Sequence, residues 1–153
     1  MLCKRRIAFS DLILAAATLG AVSGAYAQNL SDGNTGAVNT PGINQAFMGN
    51  LQVARQGNAV AENNLGNFYI RGQGTPKDYG QAFYWYQQAA QQGLADAQAN
   101  LADMYSEGTG TQQDYTQAFN WYQKAAVQGN AGAQQSLGDL YARGVGIKQD
   151  YAQ

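Results

Sequence analysis

LADAQANLADMYSEGTGTQQDYTQAFNWYQKAAVQG, residues 94–129, is the stretch that decides the fold. Moved back by 36 residues it falls on residues 58–93, and 20 of the 36 positions are identical. Moved forward it falls on residues 130–153, an incomplete third copy. A tandem unit of this length, rich in helix formers, predicts an all-α solenoid of antiparallel helix pairs.

Within the unit, Ala61, Leu65 and Tyr69 recur as Ala97, Leu101 and Tyr105 and as Ala133, Leu137 and Tyr141. Steps of four keep each trio on one face of a first helix, an amphipathic stripe for the core. Phe68, Met104 and Leu140 widen that stripe, while Gly66, Ala102 and Gly138 keep its flank small. Glycine pairs follow: Gly72 and Gly74, Gly108 and Gly110, Gly144 and Gly146. A phosphate-binding G-x-G needs a preceding strand and a third glycine. These pairs follow a helix, so they are expected to end it and turn the chain.

The second helix opens on Asp78, Asp114 and Asp150, each followed three residues later by Gln81, Gln117 or Gln153, a pattern resembling a capping box. Capping accounts for the equally spaced aspartates without a metal, at roughly 1 kcal/mol per cap. The helix continues through Ala82, Phe83, Trp85, Tyr86, Ala89 and Ala90 to Gly93, with the same pattern in the second copy. Large rings alternate with alanines, so one helix fills the space its neighbour leaves. Each buried Trp or Phe is expected to contribute on the order of 3 kcal/mol.

The string A-x-x-x-L-G-x-x-Y-x-x-G-x-G-x-x-x-D-Y-x-x-A-x-x-W-Y-x-x-A-A-x-x-G resembles the Sel-1-like repeat, a relative of the tetratricopeptide repeat. The likeness covers about residues 43–153. It implies a right-handed superhelix of paired antiparallel helices, used mostly as an adaptor between proteins in bacterial envelopes or signalling assemblies. One secreted branch of the family binds penicillins and has weak β-lactamase activity, but carries paired cysteines within each repeat. Here Cys3 is the only cysteine, so the chain departs from that branch.

Before the repeats, Lys4-Arg5-Arg6, an apolar run over residues 12–22 and Ala25-Tyr26-Ala27 have the order of a signal peptide, residues 1–27. Asp11 interrupts the apolar stretch, which is short of the roughly 20 residues of a membrane span. Export to the periplasm or exterior of a bacterium is expected, with no stable membrane anchor after cleavage. Residues 28–42 read as a flexible linker. Residues 43–57 read as a diverged second helix capping repeat 1, because Ala46-Phe47 aligns with Ala82-Phe83. The repeats are then 58–93, 94–129 and 130–153. From residue 28 onward there are six basic and nine acidic residues. That balance lacks the basic face that nucleic acid requires.

The chain has no histidine, which excludes Ser-His and Cys-His nucleophiles and histidine-bound zinc. Ser31, Ser106 and Ser136 do not begin an S-x-x-K motif. No catalytic group, metal or cofactor is expected. A non-catalytic scaffold is the first reading, and an envelope enzyme of the penicillin-binding or β-lactamase kind is the alternative. A chromogenic β-lactam turnover assay separates them. A third reading is a fragment of a longer array, whose incomplete repeat leaves Leu137, Leu140 and Tyr141 partly uncovered and open to self-association.

Opposite the buried stripe, the first helices carry Asn63, Asn67 and Ile70, then Ala99, Asp103 and Ser106, then Gln135, Asp139 and Ala142. These positions differ between copies while the stripe does not. They are either a polar, mildly acidic groove for an extended peptide or protein segment, or solvated positions free to drift. Charge reversal of Asp103 and Asp139 together tests the groove: partner capture should weaken without unfolding.

Overall fold

The computed structural model describes residues 40–146. The signal peptide, the linker through residue 39 and the third aspartate cap at Asp150 lie outside the described residues. Among the described residues six helices run in order: α1 Pro41–Ala54, α2 Ala59–Arg71, α3 Tyr79–Gln91, α4 Ala95–Glu107, α5 Tyr115–Val127 and α6 Ala131–Arg143. Each packs against its neighbours in sequence, as short turns between antiparallel helices require.

The boundaries follow from capping chemistry. Asn58 accepts from the Ala61 N–H at 3.0 Å, and Asp78 from the Gln81 N–H at 3.0 Å. Asp114 accepts from both the Thr116 and Gln117 N–H groups, at 2.9 and 3.0 Å. Only the aspartate half of the expected capping box forms. The Asp78 and Asp114 N–H groups donate instead to the Tyr69 and Tyr105 carbonyls, at 3.1 and 2.8 Å. The same aspartate thus caps one helix and ties its backbone to the end of the previous one. Helix α1 starts two residues earlier than residue 43, because Pro41 occupies its first turn, where a missing N–H costs nothing.

The glycine pair has two tasks. Gly108 caps α4 in the left-handed region at φ 73°. Gly110, at φ 71°, presses against α3: a Cβ there would lie 2.3 Å from the Tyr79 carbonyl oxygen. Gly146 meets the Tyr115 carbonyl in the same way, and Gly74 meets Ile43 and Phe47 of α1. Ile43, Tyr79 and Tyr115 are spaced at 36 residues, so α1 meets repeat 1 as α3 meets repeat 2.

Three apolar clusters stack along the array. Phe47 and Ala54 of α1 pack with Ala61 and Leu65, the next layer centres on Tyr86, Leu101 and Met104, and the third on Tyr122, Ala133 and Leu140. Edge-on ring pairs recur between units: Phe47–Tyr69 at 5.6 Å, Phe83–Tyr105 at 5.3 Å and Phe119–Tyr141 at 5.2 Å. Each adds about 0.5–1.5 kcal/mol beyond area burial. Among the aromatic rings of α3 and α5, Tyr86 and Tyr122 are the most deeply buried, each 4% exposed. Trp85 and Trp121 are only partly buried, so the deepest aromatic position belongs to tyrosine rather than tryptophan.

Candidate binding groove

Helices α2, α4 and α6, the first helices of three successive units, line a groove of about 400 Å³. A tyrosine from a second helix reaches it from behind. The Tyr86 ring is buried, and its hydroxyl donates to Asn67 Oδ1 at 2.9 Å. The Tyr122 ring is buried in the same way, and its hydroxyl donates to Asp103 Oδ1. Along the floor, the Asn100 amide donates to Asn63 Oδ1 and the Asn130 amide to Asp96 Oδ1, both at 2.9 Å. These bonds join residues of adjacent repeats and fix the spacing of the groove's polar groups.

Behind the groove a second set of amides repeats. Gln92 donates to Glu62 at 2.6 Å and Gln128 to Gln98 at 2.8 Å. Gln98 and Gln134 in turn donate to the Ala90 and Ala126 carbonyls, at 3.2 and 3.1 Å. These two carbonyls, near the ends of α3 and α5, already accept from the Gly93 and Gly129 N–H groups at 3.0 Å and gain a second donor this way.

Burial pushes the Tyr86 hydroxyl up to about 12. It pushes Tyr122 up to about 12 as well, with the hydrogen bond to Asp103 adding to the rise and the Ser106 and Ser136 hydroxyls opposing it. Asp103 is exposed along the groove, yet the surrounding protein removes part of its solvent. That desolvation raises its carboxyl above the ordinary carboxylate value; Tyr122 pulls it back and the Glu107 charge pushes it further up. Burial also raises Glu62, against the lowering effect of the Gln92 amide.

Of the nine residues expected at a partner surface, Asn63, Asn67, Ala99 and Asp103 come together in this groove. Ser106 and Asp139 line a smaller hollow of about 240 Å³ that shares Tyr122 and Ser136 with it. Ile70 is partly buried and packs on the central cluster. Gln135 and Ala142 are exposed and line neither hollow. Asp96, Asn100, Tyr122, Asn130 and Ser136 also line the groove and lie outside the expected nine. Four of these carried a signal, since Asp96, Asn100, Asn130 and Ser136 belong to positions that vary between copies (Val60, Asp96, Gly132; Asn64, Asn100, Ser136; Asn58, Leu94, Asn130). Tyr122 carried none, because it recurs like a scaffold residue.

Among the described residues no cluster of three His, Cys, Asp or Glu side chains could hold a metal ion. No helix among them is long and apolar enough to cross a membrane.

The family model described as Sel1 repeat matches residues 59–94, 95–130 and 131–153. A solved protective antigen present in uropathogenic Escherichia coli strains, displaying an SLR fold, is 38% identical with a TM-score of 0.67. The match covers 68% of this chain and 22% of that one. A Sel1 repeat protein from Oxalobacter formigenes is 38% identical with a TM-score of 0.66, over 70% of this chain and 44% of that one. The chain therefore matches less than half the length of either structure. No curated protein matches it.

Proposed function

The chain belongs to the Sel1 repeat family, and from that membership we propose an exported, non-catalytic scaffold that holds a peptide or protein segment in the groove of its first helices. Proteins of this family are generally protein–protein interaction scaffolds. The observation that carries the assignment here is the groove itself. It crosses three units, its side chains differ from copy to copy, and its amides are held in place by bonds between repeats. Such a surface offers fixed donors and acceptors to an extended backbone without requiring the scaffold to reorganise.

Export rests on the n-region, apolar run and Ala-Tyr-Ala site of residues 1–27. Edman sequencing of the protein from a bacterial periplasmic fraction is expected to begin at Gln28. Recovery of an intact amino terminus in the cytoplasm refutes export.

For the groove, a benzoylphenylalanine cross-linker at Ala99, inside it, is compared with one at Tyr84, which is exposed and lines neither hollow. Photolysis in envelope extract should give a discrete adduct from position 99 and none from position 84. Adducts from position 84 alone would place the partner elsewhere and end this assignment.

A further inference from the structure

Asn67 and Asp103 are equivalent residues, 36 positions apart, and each does the same structural work by accepting a hydrogen bond from a buried tyrosine. Repeat 1 manages this with a neutral amide. The negative charge in repeat 2 is therefore not needed to hold the tyrosine, and the fold works against it. Partial desolvation in the groove disfavours the ionised carboxyl, the Tyr122 hydrogen bond offsets part of this, and the Glu107 charge adds to the cost. Among the described residues no lysine or arginine forms an ion pair with Asp103. A charge that the scaffold does not require, and that its surroundings oppose, is explained by something outside the scaffold.

Resting on the groove assignment above, we propose that the repeat 2 part of the groove selects a cationic side chain, arginine or lysine, in the bound segment, with Asp103 as its counter-charge. Tyr122 occupies one carboxylate oxygen and orients the group, leaving the other to accept from an incoming N–H. Ser136 lines the same groove and offers a further acceptor. Asp96 lies seven residues earlier on α4, two turns away and on the same face, and extends the negative potential along the groove. Repeat 1 contributes only neutral Asn63 and Asn67 to the groove. Repeat 3 lines it with neutral Asn130, Gly132, Ala133 and Ser136, so the two carboxylates sit in the middle unit and give a bound segment a preferred residue at one place along the groove.

The test is selection of a phage-displayed random dodecapeptide library on immobilised protein. Three forms are used: wild type, Asp103→Asn and Asp78→Asn. The first substitution recreates the Asn67–Tyr86 pair in repeat 2. The second removes the same charge outside the groove while keeping a competent cap. Wild type and D78N should enrich Arg or Lys at one fixed position, and D103N should lose that preference. A wild-type-selected peptide should bind D103N about tenfold more weakly, the scale of one charge-assisted hydrogen bond lost at a solvent-accessible site. Circular dichroism checks that both variants fold. Equal Arg or Lys enrichment on D103N overturns the proposal. So does recovery of peptides without a basic residue; if these cross-link at position 99, the groove assignment survives and only the charge preference is lost. Recovery of no peptide, or only of peptides that fail to cross-link at position 99, overturns both. Separate enrichment of Arg or Lys distinguishes guanidinium from ammonium recognition.

Discussion

Glu62 stands where the other two repeats carry Gln98 and Gln134, and it is only 4% exposed. Glutamine at this place donates to the carbonyl eight residues earlier, as Gln98 does to Ala90 and Gln134 to Ala126. An ionised glutamate has no hydrogen to give, although it accepts well from Gln92. Its carboxyl is raised by burial, so the folded state holds the proton more tightly than the unfolded chain. The contribution of this group to stability is then complete below the ordinary carboxylate value and is lost as pH rises through the raised one. Glu62→Gln should therefore stabilise the protein at pH 7 by about 1 kcal/mol, the worth of a net hydrogen bond. Urea unfolding at pH 7 and pH 4 checks this, because the gain should shrink at the lower pH. A gain of equal size at both pH values would show that ionisation is not its cause. Asp103 shares the direction of shift, so Asp103→Asn is expected to fold at least as well as wild type.

At the scale of helices and turns, glycines that look alike in sequence carry opposite expectations. Gly110 has φ 71° and no room for a Cβ against the Tyr79 carbonyl. Gly110→Ala should cost about 2–4 kcal/mol, combining a left-handed backbone with overpacking. Gly138 lies inside α6, and a methyl group added there would meet no neighbouring atom within 4 Å. Gly138→Ala should stabilise by about 0.5–1 kcal/mol, because the helix loses a flexible residue. Thermal melts of the two variants should shift in opposite directions, and equal shifts would contradict the close approach at Gly110. Helix positions, the aspartate caps and the left-handed glycines were all legible from the repeat. The return of the Asp78 and Asp114 N–H groups to the preceding helix was not, because a backbone bond to Tyr69 or Tyr105 leaves no trace in side-chain type.

Over the whole array, each apolar cluster joins adjacent helices, so damage should stay near where it is made. Phe47 tests this, being buried against both Phe68 and Tyr69 at the α1 end. Phe47→Ala should cost about 3–5 kcal/mol as a cavity-forming change. Hydrogen exchange should accelerate in α1 and α2 much more than in α5 and α6. Uniform acceleration would mean that the repeats unfold as one unit rather than layer by layer.

The sequence by itself determined the period, the helix pairs, the caps and the stripe of alanines, leucines and tyrosines, because each arises within one unit and recurs in the next. It also marked variable positions on the first helices, including the four that meet in the groove. Only the tertiary structure decided which polar groups face one another there. Asn63 finds Asn100 and Asp96 finds Asn130 across 37 and 34 positions, distances that helical periodicity does not encode. It also divided Tyr122 between two tasks: the ring that recurs as core is buried, while its hydroxyl reaches Asp103 in the groove. Residue spacing specifies where a side chain starts, whereas folding brings its polar end to a partner and sets the desolvation that both groups experience.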